Sequence, residues 1–502
     1  MIMYRIRNVV IIAVILVAGC GREARITTTS PDALRTYTEG VSQWENFYYN
    51  EAKQSFEKAL AADSTFAMAW CRLAMIDVAT GNRLGARDMM SKALGYAPRA
   101  TPREQLFIRM WHRQLEYDSQ GAAGAADTLL QLYPDEKEAY LFRGALYEET
   151  EKNFDAAIRC YQHAIVVDSN YSRAVMSLGY AYSSLGDQDK AIEEMQRYIR
   201  LAPNVADPRS SYADLLLRAG RYDDALTQYQ KSLELKPDYW YAFQKIGTIY
   251  AVLGRLAEAE TQFRKSFSLL PGSAQTEAIF LGATAQLDLG RQNYSEAAAK
   301  FRRALVTDTT SVGASYGLMY TLGKMKKFAE SESLLVRTTR ELKHRNLYQS
   351  PAMLGFHLMK SRLLEDEGKL AKALAECDSA MEYSIPLTVA EVYRQRAEVQ
   401  LAVGNFEPAL DACEEALHTN PNSPAVLFTL TKVYHQKGDA AMTVEIGSRL
   451  LALWNDADPD FADRNELLRI LGKKLPTAGP KPHQIESARA LPEEFAISRF
   501  LS

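Results

Sequence analysis

The sequence predicts an all-α fold, a superhelical solenoid of about twelve helix-turn-helix repeats that ends in a capping helix. Three observations predict it: a pattern that returns every 34 residues, small residues where two helices would cross, and prolines at the ends of the units. The recurring pairs are Ala225 and Ala259, Tyr229 and Phe263, Ser232 and Ser266, and Pro237 and Pro271. A chain of 502 residues exceeds one ordinary core, but a repeat array has no such limit.

Each unit is predicted to contain two short helices and two turns. Two helices pack closely only where small side chains lie at their crossing, so Gly247 of a first helix is expected to face Ala259 of the second. Proline cannot continue a helix and turns the chain into the next unit, as expected at Pro237. The order helix, turn, helix, turn then repeats along the chain.

The pattern resembles the tetratricopeptide repeat, in which small residues, an alanine, an aromatic residue and a proline stand at fixed positions. Extended both ways, the register predicts units that start near residues 33, 67, 103, 137, 172, 206, 240, 275, 312, 354, 390 and 424. The period breaks at residues 343–351. This break predicts a first lobe at residues 33–345 and a second lobe at residues 354–457.

The C-terminal residues are predicted to cap the array and then to continue as a tail. Residues 458–476 are expected to form the capping helix, because a terminal repeat must cover an apolar face with a more polar element. Its inward side chains are predicted to be Phe461, Leu467, Leu468 and Leu471, and its solvated ones Arg464, Lys473 and Lys474. The apolar tail at residues 477–502 is expected to dock on the last repeats or in the groove.

Three aspartates just before the capping helix have the odd spacing of a calcium loop. Asp456, Asp458 and Asp460 provide it, but Phe461 and Leu467 stand where that loop needs glycine and glutamate. We therefore predict an acidic turn that caps the next helix, and no metal site.

The N-terminal residues have the three regions of a secretory signal. Arg5 and Arg7 precede an apolar run at residues 9–19, which is shorter than the roughly 20 residues of a membrane-spanning helix. The run ends in Val-Ala-Gly-Cys, which resembles the bacterial lipobox and implies that Cys20 is diacylated and becomes the first residue of the mature protein. The alternative is an ordinary signal peptide that contains a cysteine.

The lipobox interpretation places the protein in the cell envelope. Residues 1–19 would be the signal peptide and residues 20–32 the tether, with several acyl chains at Cys20 as a stable membrane anchor. Gly21 follows the cysteine where the sorting rule of enteric bacteria would need aspartate for inner-membrane retention. We therefore expect the outer membrane, with the protein facing the periplasm.

Composition and motifs argue against catalysis and nucleic acid. The formal net charge is −3, which does not favour a nucleic-acid partner. No G-x-S-x-G, H-E-x-x-H or P-loop motif is present, so we expect no enzymatic activity and no cofactor. The cysteines after Cys20 are too few for a disulfide scaffold, and we interpret them as buried thiols: Cys71, Cys160, Cys377 and Cys413.

A second resemblance covers residues 30–205. Their opening, with TPREQLFIRMW at residues 101–111, is similar to the extracytoplasmic repeat region of membrane-bound bacterial serine/threonine kinases and regulators. It implies sensing or scaffolding outside the cytoplasm.

The resemblance to tetratricopeptide repeats also implies a concave groove, lined by the first helices, that binds partners. Its predicted partner-binding residues are Tyr180, Tyr241, Gln244, Tyr316, Tyr320, Arg362, Arg394, Phe428 and Lys432. Aromatic rings among polar groups suit an extended peptide, since rings give contact area at little entropic cost. The alternative for each residue is a solvated face without a ligand.

These observations predict a lipid-anchored scaffold that binds protein or peptide partners in its groove. The alternative is an extracytoplasmic small-ligand sensor that acts with a separate membrane signalling protein. An enclosed apolar pocket in the groove would favour the sensor.

Overall fold

The computed structural model describes residues 26–80, 82–270, 272–344, 351–384, 388–418 and 420–473. Within these ranges the chain forms 25 α-helices and no strand. In chain order they are α1 (Pro31–Glu45), α2 (Tyr49–Ala62), α3 (Ala67–Ala79), α4 (Arg83–Tyr96), α5 (Pro102–Leu115), α6 (Ser119–Leu132), α7 (Lys137–Glu149), α8 (Phe154–Val167), α9 (Ser172–Ser184), α10 (Gln188–Leu201), α11 (Ala206–Arg218), α12 (Tyr222–Leu235), α13 (Trp240–Val252), α14 (Leu256–Ser268), α15 (Ala274–Gly290), α16 (Tyr294–Thr307), α17 (Val312–Lys324), α18 (Phe328–His344), α19 (Pro351–Asp366), α20 (Leu370–Glu382), α21 (Val389–Val403), α22 (Phe406–Leu417), α23 (Pro424–Lys437), α24 (Ala440–Leu453) and α25 (Ala462–Ile470).

The first 24 helices pair in sequence into twelve repeats, and α25 follows them. Repeat 1 is α1 with α2, and repeat 12 is α23 with α24. The predicted fold class, about twelve helix-turn-helix repeats with a capping helix, is confirmed. The division into two lobes stays a prediction, and residues 345–350 and the tail at 477–502 lie outside the described residues.

Local sequence sets where many helices begin and end. Helix α5 begins in a capping box, in which Thr101 and Glu104 satisfy each other's backbone N–H groups. Helices α21 and α23 end at Gly404 and Gly438, whose φ values of 87° and 85° lie in the left-handed region that favours glycine. Each of these glycines turns the chain into the second helix of its repeat.

Within a repeat, a glycine of the first helix lies against an aromatic ring of the second. A Cβ placed on Gly247 would lie 2.8 Å from the ring of Phe263 and 3.2 Å from the carbonyl oxygen of Ala259. The predicted approach of Gly247 to Ala259 is therefore present, through the Ala259 backbone. The closer contact is with Phe263, and Gly40 makes the same kind of contact with Phe56 in repeat 1.

Repeat 1 contacts repeats 5 and 6, because the superhelix turns tightly. The guanidinium of Arg173 donates to the carbonyl oxygen of Trp44 at 2.9 Å and lies 4.3 Å from the ring centroid of Phe47. The ammonium of Lys236 pairs with Glu51 at 2.5 Å. These contacts join residues more than a hundred positions apart.

A second contact joins the turn after α13 to the turn after α24, and we call it the C-terminal seam. The backbone N–H of Asp458 donates to the carbonyl oxygen of Gly254 at 2.9 Å. The carboxylate of Asp458 accepts from the N–H of Ala257 at 2.8 Å, and the indole of Trp454 donates to the carbonyl oxygen of Val252 at 3.2 Å. The acidic turn thus caps α14, 201 positions earlier in the chain.

The prediction that this acidic turn caps the next helix is wrong. The N-cap of α25 is Phe461, whose side chain accepts no capping hydrogen bond. Phe461 instead belongs to the same apolar cluster as Leu256 of α14. The seam is completed by an ion pair of Arg291 with Asp460 at 2.9 Å.

Helix α25 is the capping helix, and its apolar side is buried as the sequence predicts. Phe461, Leu467 and Leu468 are buried, Leu471 packs partly against the same cluster, and Lys473 is exposed. The prediction that Arg464 is solvated is wrong, because this side chain is half-buried and its Nε is shielded from solvent. Lys474 lies outside the described residues.

The cysteine thiols within the described ranges are free. Cys71, Cys377 and Cys413 are buried, as predicted, and Cys160 is half-buried. Burial raises the pKa of the Cys71 and Cys413 thiols to about 12, so neither is a reactive thiolate at neutral pH.

Candidate binding cavity

A cavity of about 760 Å³ lies on the concave side of repeats 8 to 12, and we call it the C-terminal cavity. Five first helices, α15, α17, α19, α21 and α23, each contribute side chains to its wall. Asp463 and Glu466 of α25 complete the lining. Because the seam holds repeat 12 against repeats 7 and 8, the wall curves round on itself.

Six of the nine predicted groove residues line this one cavity. They are Tyr316, Tyr320, Arg362, Arg394, Phe428 and Lys432. They come from four successive repeats, and the superhelical curvature brings them together. The structure thus brings the last six of the nine predicted residues together at a single place.

Arg394 is the most strongly paired cation of the wall. Its guanidinium donates to Glu398 at 2.6 Å and to Glu391 at 2.6 Å. Burial alone would raise the pKa of Glu398, but Arg394, Arg362 and Lys432 outweigh burial and hold it below its usual range. The Glu398 carboxylate is therefore ionised at neutral pH and is fixed in place.

Arg362 is held by the neighbouring repeat. Its Nε donates to the amide oxygen of Gln395 at 2.8 Å, and its Nη2 pairs with Glu391 at 2.5 Å. The amide nitrogen of Gln395 donates to Glu365 at 2.8 Å. This chain of contacts fixes the rotamers of the wall before any ligand arrives, which reduces the entropic cost of binding.

Lys432 differs from the two arginines in its surroundings. Its ammonium lies 4.7 Å from the ring centroid of Phe428, and no carboxylate of the described residues lies within ion-pair distance of it. The hydroxyl of Tyr320 likewise has no hydrogen-bond partner among the described residues. Both groups line the cavity and remain available to a ligand.

The other three predicted groove residues lie in repeats 5 and 7, away from this cavity. Tyr180 and Tyr241 both donate their hydroxyls to the carboxylate of Asp214, at 2.9 and 2.6 Å. Tyr229 is a third donor, and Lys245 lies 3.4 Å from the same carboxylate. Two of the three predicted residues therefore have hydroxyls that are already satisfied inside the protein.

The remaining one, Gln244, is half-buried in α13 and lines neither this cavity nor the Asp214 cluster.

Four of the charged and aromatic lining residues lie outside the groove positions of the repeat. Tyr294 begins α16, Lys324 ends α17, and Asp463 and Glu466 lie on α25. Repeat position does not identify them, since none stands at a groove position of a first helix. The polar face of the capping helix, opposite Leu467, is the signal that could have identified Asp463 and Glu466.

Comparison with known proteins identifies the repeats. Residues 148–206 and 213–274 match the family described as Tetratricopeptide repeat. The described part of the chain is an all-α solenoid of helix-turn-helix repeats, and the repeats within the matched residues are similar to tetratricopeptide repeats. No curated protein sequence matches the chain.

Three solved structures are similar to parts of the chain. A tetratricopeptide repeat protein from Parabacteroides merdae ATCC 43184 is 19% identical, with 52% of this chain and 98% of that chain covered and a TM-score of 0.36. Yeast Tom70 is 16% identical, with 88% and 94% covered and a TM-score of 0.36. MamA is 27% identical, with 32% and 93% covered and a TM-score of 0.26. With TM-scores this low, none of them informs the function of this chain.

None of the 25 helices combines the length and the apolar character that crossing a membrane requires.

Proposed function

We propose that this protein is a lipid-anchored scaffold of the bacterial cell envelope that holds an extended peptide segment of a partner protein in the C-terminal cavity. The observation that carries the proposal is the convergence of four aromatic and eight charged side chains from five repeats and the capping helix on one cavity. Tetratricopeptide-repeat solenoids bind proteins through such concave surfaces.

The chemistry of the wall favours a peptide over a small apolar ligand. Sites for small ligands are mostly apolar with few polar groups. Here four cationic and four acidic side chains line the cavity together with three glutamines. A peptide offers backbone N–H and C=O groups to such a wall, and its side chains can lie against the rings of Tyr320 and Phe428.

Lys432 supplies a specific recognition contact in this proposal. It is a cation without an ion-pair partner among the described residues, beside an aromatic ring. It suits a peptide carboxylate or backbone carbonyl, which would form a charge-assisted hydrogen bond. Asp463 and Glu466 offer the opposite charge on the facing helix, so the peptide would carry both signs.

The anchor in this proposal is Cys20, which lies outside the described residues. Its support is the Val-Ala-Gly-Cys sequence after a short apolar run. Cys20→Ser should abolish both lipid attachment and cleavage before residue 20. If the variant were still acylated or still cleaved there, the proposed anchor would be wrong.

Photo-crosslinking in intact cells tests the binding site. A photoreactive amino acid at Gln436, an exposed residue of the cavity wall, should link the protein to a discrete partner. The matched control carries it at Val306, which is 82% exposed and lies outside the cavity. Adding Lys432→Glu to the Gln436 variant should remove the product. Equal products from both positions would contradict the proposed site.

A further inference from the structure

Three of the four cationic side chains that line the C-terminal cavity are already neutralised within the protein. Lys324 pairs with Asp366 at 2.8 Å, and Arg362 pairs with Glu391 at 2.5 Å. Arg394 is paired with two carboxylates of its own helix, α21. These three cations therefore have little charge left for a ligand.

The acidic side chains of the same wall are mostly unpaired. Glu365, Asp463 and Glu466 line the cavity, and none of them has a cation of the described residues within ion-pair distance. Glu365 accepts a hydrogen bond from the amide of Gln395 at 2.8 Å, whereas Asp463 and Glu466 accept none from the part of the chain that the structure describes. Against these three carboxylates stands one unpaired cation, Lys432. The wall therefore has an excess of negative charge that its internal ion pairs do not balance.

The carboxylates of this wall repel one another across the cavity. Asp463 keeps contact with solvent, but desolvation by the surrounding wall raises its pKa, and the charges of Glu466 and Glu398 add to the increase, while the charge of Lys432 is the largest opposing effect. Burial also raises the pKa of Glu365, with the charge of Glu398 again adding to it. A cation placed among these groups would relieve the repulsion.

We propose, resting on the function proposed above, that the partner segment in the C-terminal cavity carries net positive charge and places a lysine or arginine side chain against Asp463 and Glu466 of α25. An ammonium or guanidinium group would form charge-assisted hydrogen bonds with these carboxylates. Because the cavity wall excludes part of the solvent, such pairs are screened less than pairs on the open surface. Lys432 would at the same time hold a carbonyl or carboxylate oxygen of the segment.

The capping helix thereby gains a role in specificity. Its residues Leu467 and Leu468 are buried against the last repeats, while Asp463 and Glu466 line the cavity. A spacing of three residues puts both carboxylates on one face of α25, within reach of a single basic side chain. The dipole of α25 favours a negative charge at Asp463, in its first turn, but this effect does not extend to Glu466. The preference for a basic segment therefore comes from an element outside the repeats.

Selection from a random peptide library tests the proposal with the full-length protein. The probe is a phage-displayed library of random decapeptides, flanked by glycine and serine so that no free terminus takes part, and the retained peptides are sequenced. Lysine and arginine together should be enriched at least about threefold over the input library. Asp463→Asn with Glu466→Gln should abolish this enrichment. The matched control, Asp411→Asn with Glu414→Gln, removes two exposed carboxylates of the same spacing from α22, outside the cavity, and should retain it.

The two double variants have the same net charge, so non-specific attraction of basic peptides affects both equally. No enrichment on the wild-type protein, or equal enrichment on the two variants, would overturn the proposal. Because neither carboxylate has a partner to lose among the described residues, the Asp463→Asn, Glu466→Gln variant should melt at the wild-type temperature or above, and a lower melting temperature would also overturn it. Selected peptides that lack basic residues but crosslink to the photoreactive residue at position 436 would contradict the charge preference alone. If no selected peptide reaches position 436, the proposed binding site fails as well.

Discussion

The carboxylate of Asp458 accepts a hydrogen bond from the backbone N–H of Ala257 at 2.8 Å, across 201 positions of sequence. Helix capping is ordinarily local, with the cap residue directly before its helix. Here the cap of α14 comes from the turn before α25, so one interaction both satisfies a helix terminus and holds repeat 12 against repeat 7. The negative charge also lies at the positive end of the helix dipole.

Removing this carboxylate should loosen the seam as well as the helix. We expect Asp458→Ala to lower the free energy of unfolding by about 1 kcal/mol, the usual cost of a lost N-cap. Hydrogen exchange in the first turn of α14 should accelerate, and small-angle scattering should report a larger radius of gyration.

The control is Asp439→Ala, which removes a local cap that accepts from the N–H of Met442 at 3.0 Å. It should cost a similar amount of stability and leave the radius of gyration and α14 unchanged. If the two variants behave alike in scattering, the seam does not depend on Asp458.

The crossing of α13 and α14 should not tolerate a larger side chain at Gly247. Any Cβ there meets the Phe263 ring, so Gly247→Leu is expected to destabilise by about 1 to 3 kcal/mol through overpacking. Thermal melting measures the effect, and exchange in neighbouring repeats should rise before distant ones. Gly282→Leu is the control, because a Cβ on Gly282 meets nothing within 4 Å. Equal melting of the two variants would contradict the crossing.

Removal of the Asp214 carboxylate should lower the free energy of unfolding more than removal of an exposed carboxylate. It accepts the hydroxyls of Tyr180, Tyr229 and Tyr241, and Asp214→Ala would leave all three without this partner. We expect a loss of about 2 kcal/mol or more in the free energy of unfolding, from denaturant titration. The exposed Asp223 in the same repeat is the control, and Asp223→Ala should change stability by less than about 0.5 kcal/mol.

Stability should fall as pH rises through the titration of Glu148. Burial raises the pKa of Glu148 to about 7 from 4.5, and the charge of Glu149 adds to the increase, while a hydrogen bond from Tyr161 and the charge of Arg218 oppose it. A carboxyl group whose pKa is raised by folding favours the folded state only while protonated. Its contribution is full below about pH 4.5 and is lost as pH rises to about 7.

Glu148→Gln should therefore flatten the dependence of melting temperature on pH between 4.5 and 7 and raise the melting temperature at pH 8. The exposed Glu57 provides the control, Glu57→Gln, which should keep the wild-type slope. An unchanged slope in Glu148→Gln would show that the group stays ionised in the folded protein throughout this range.

The repeat architecture could be predicted from the sequence because its signals are local. Small residues, aromatic residues and prolines recur within each unit, and each acts on its own pair of helices, as Gly247 does on Phe263. The same register also predicts which side of a first helix faces inward. The number of repeats can therefore be predicted from the sequence without knowledge of how the repeats stack.

The binding cavity could be predicted only in part, because it depends on stacking. Tyr180 and Tyr320 stand at the same repeat position, yet Tyr180 donates to Asp214 and Tyr320 lines the C-terminal cavity. Their difference comes from neighbouring units, whose small rotations add up along the superhelix. The pairing of Asp458 with Ala257 is likewise invisible in the sequence, since it depends on the pitch of a whole turn.

The C-terminal seam also limits how this protein can change in evolution. A linear repeat array can gain or lose a unit anywhere, because each unit contacts only its neighbours. Between Gly254 and Asp458, however, an inserted or deleted unit would carry Asp458 past the end of α14 and leave its carboxylate opposite the wrong helix. The number of repeats between Gly254 and Asp458 is therefore fixed, because only that number brings Asp458 to the start of α14. Length variation among its descendants should be confined to repeats outside that interval.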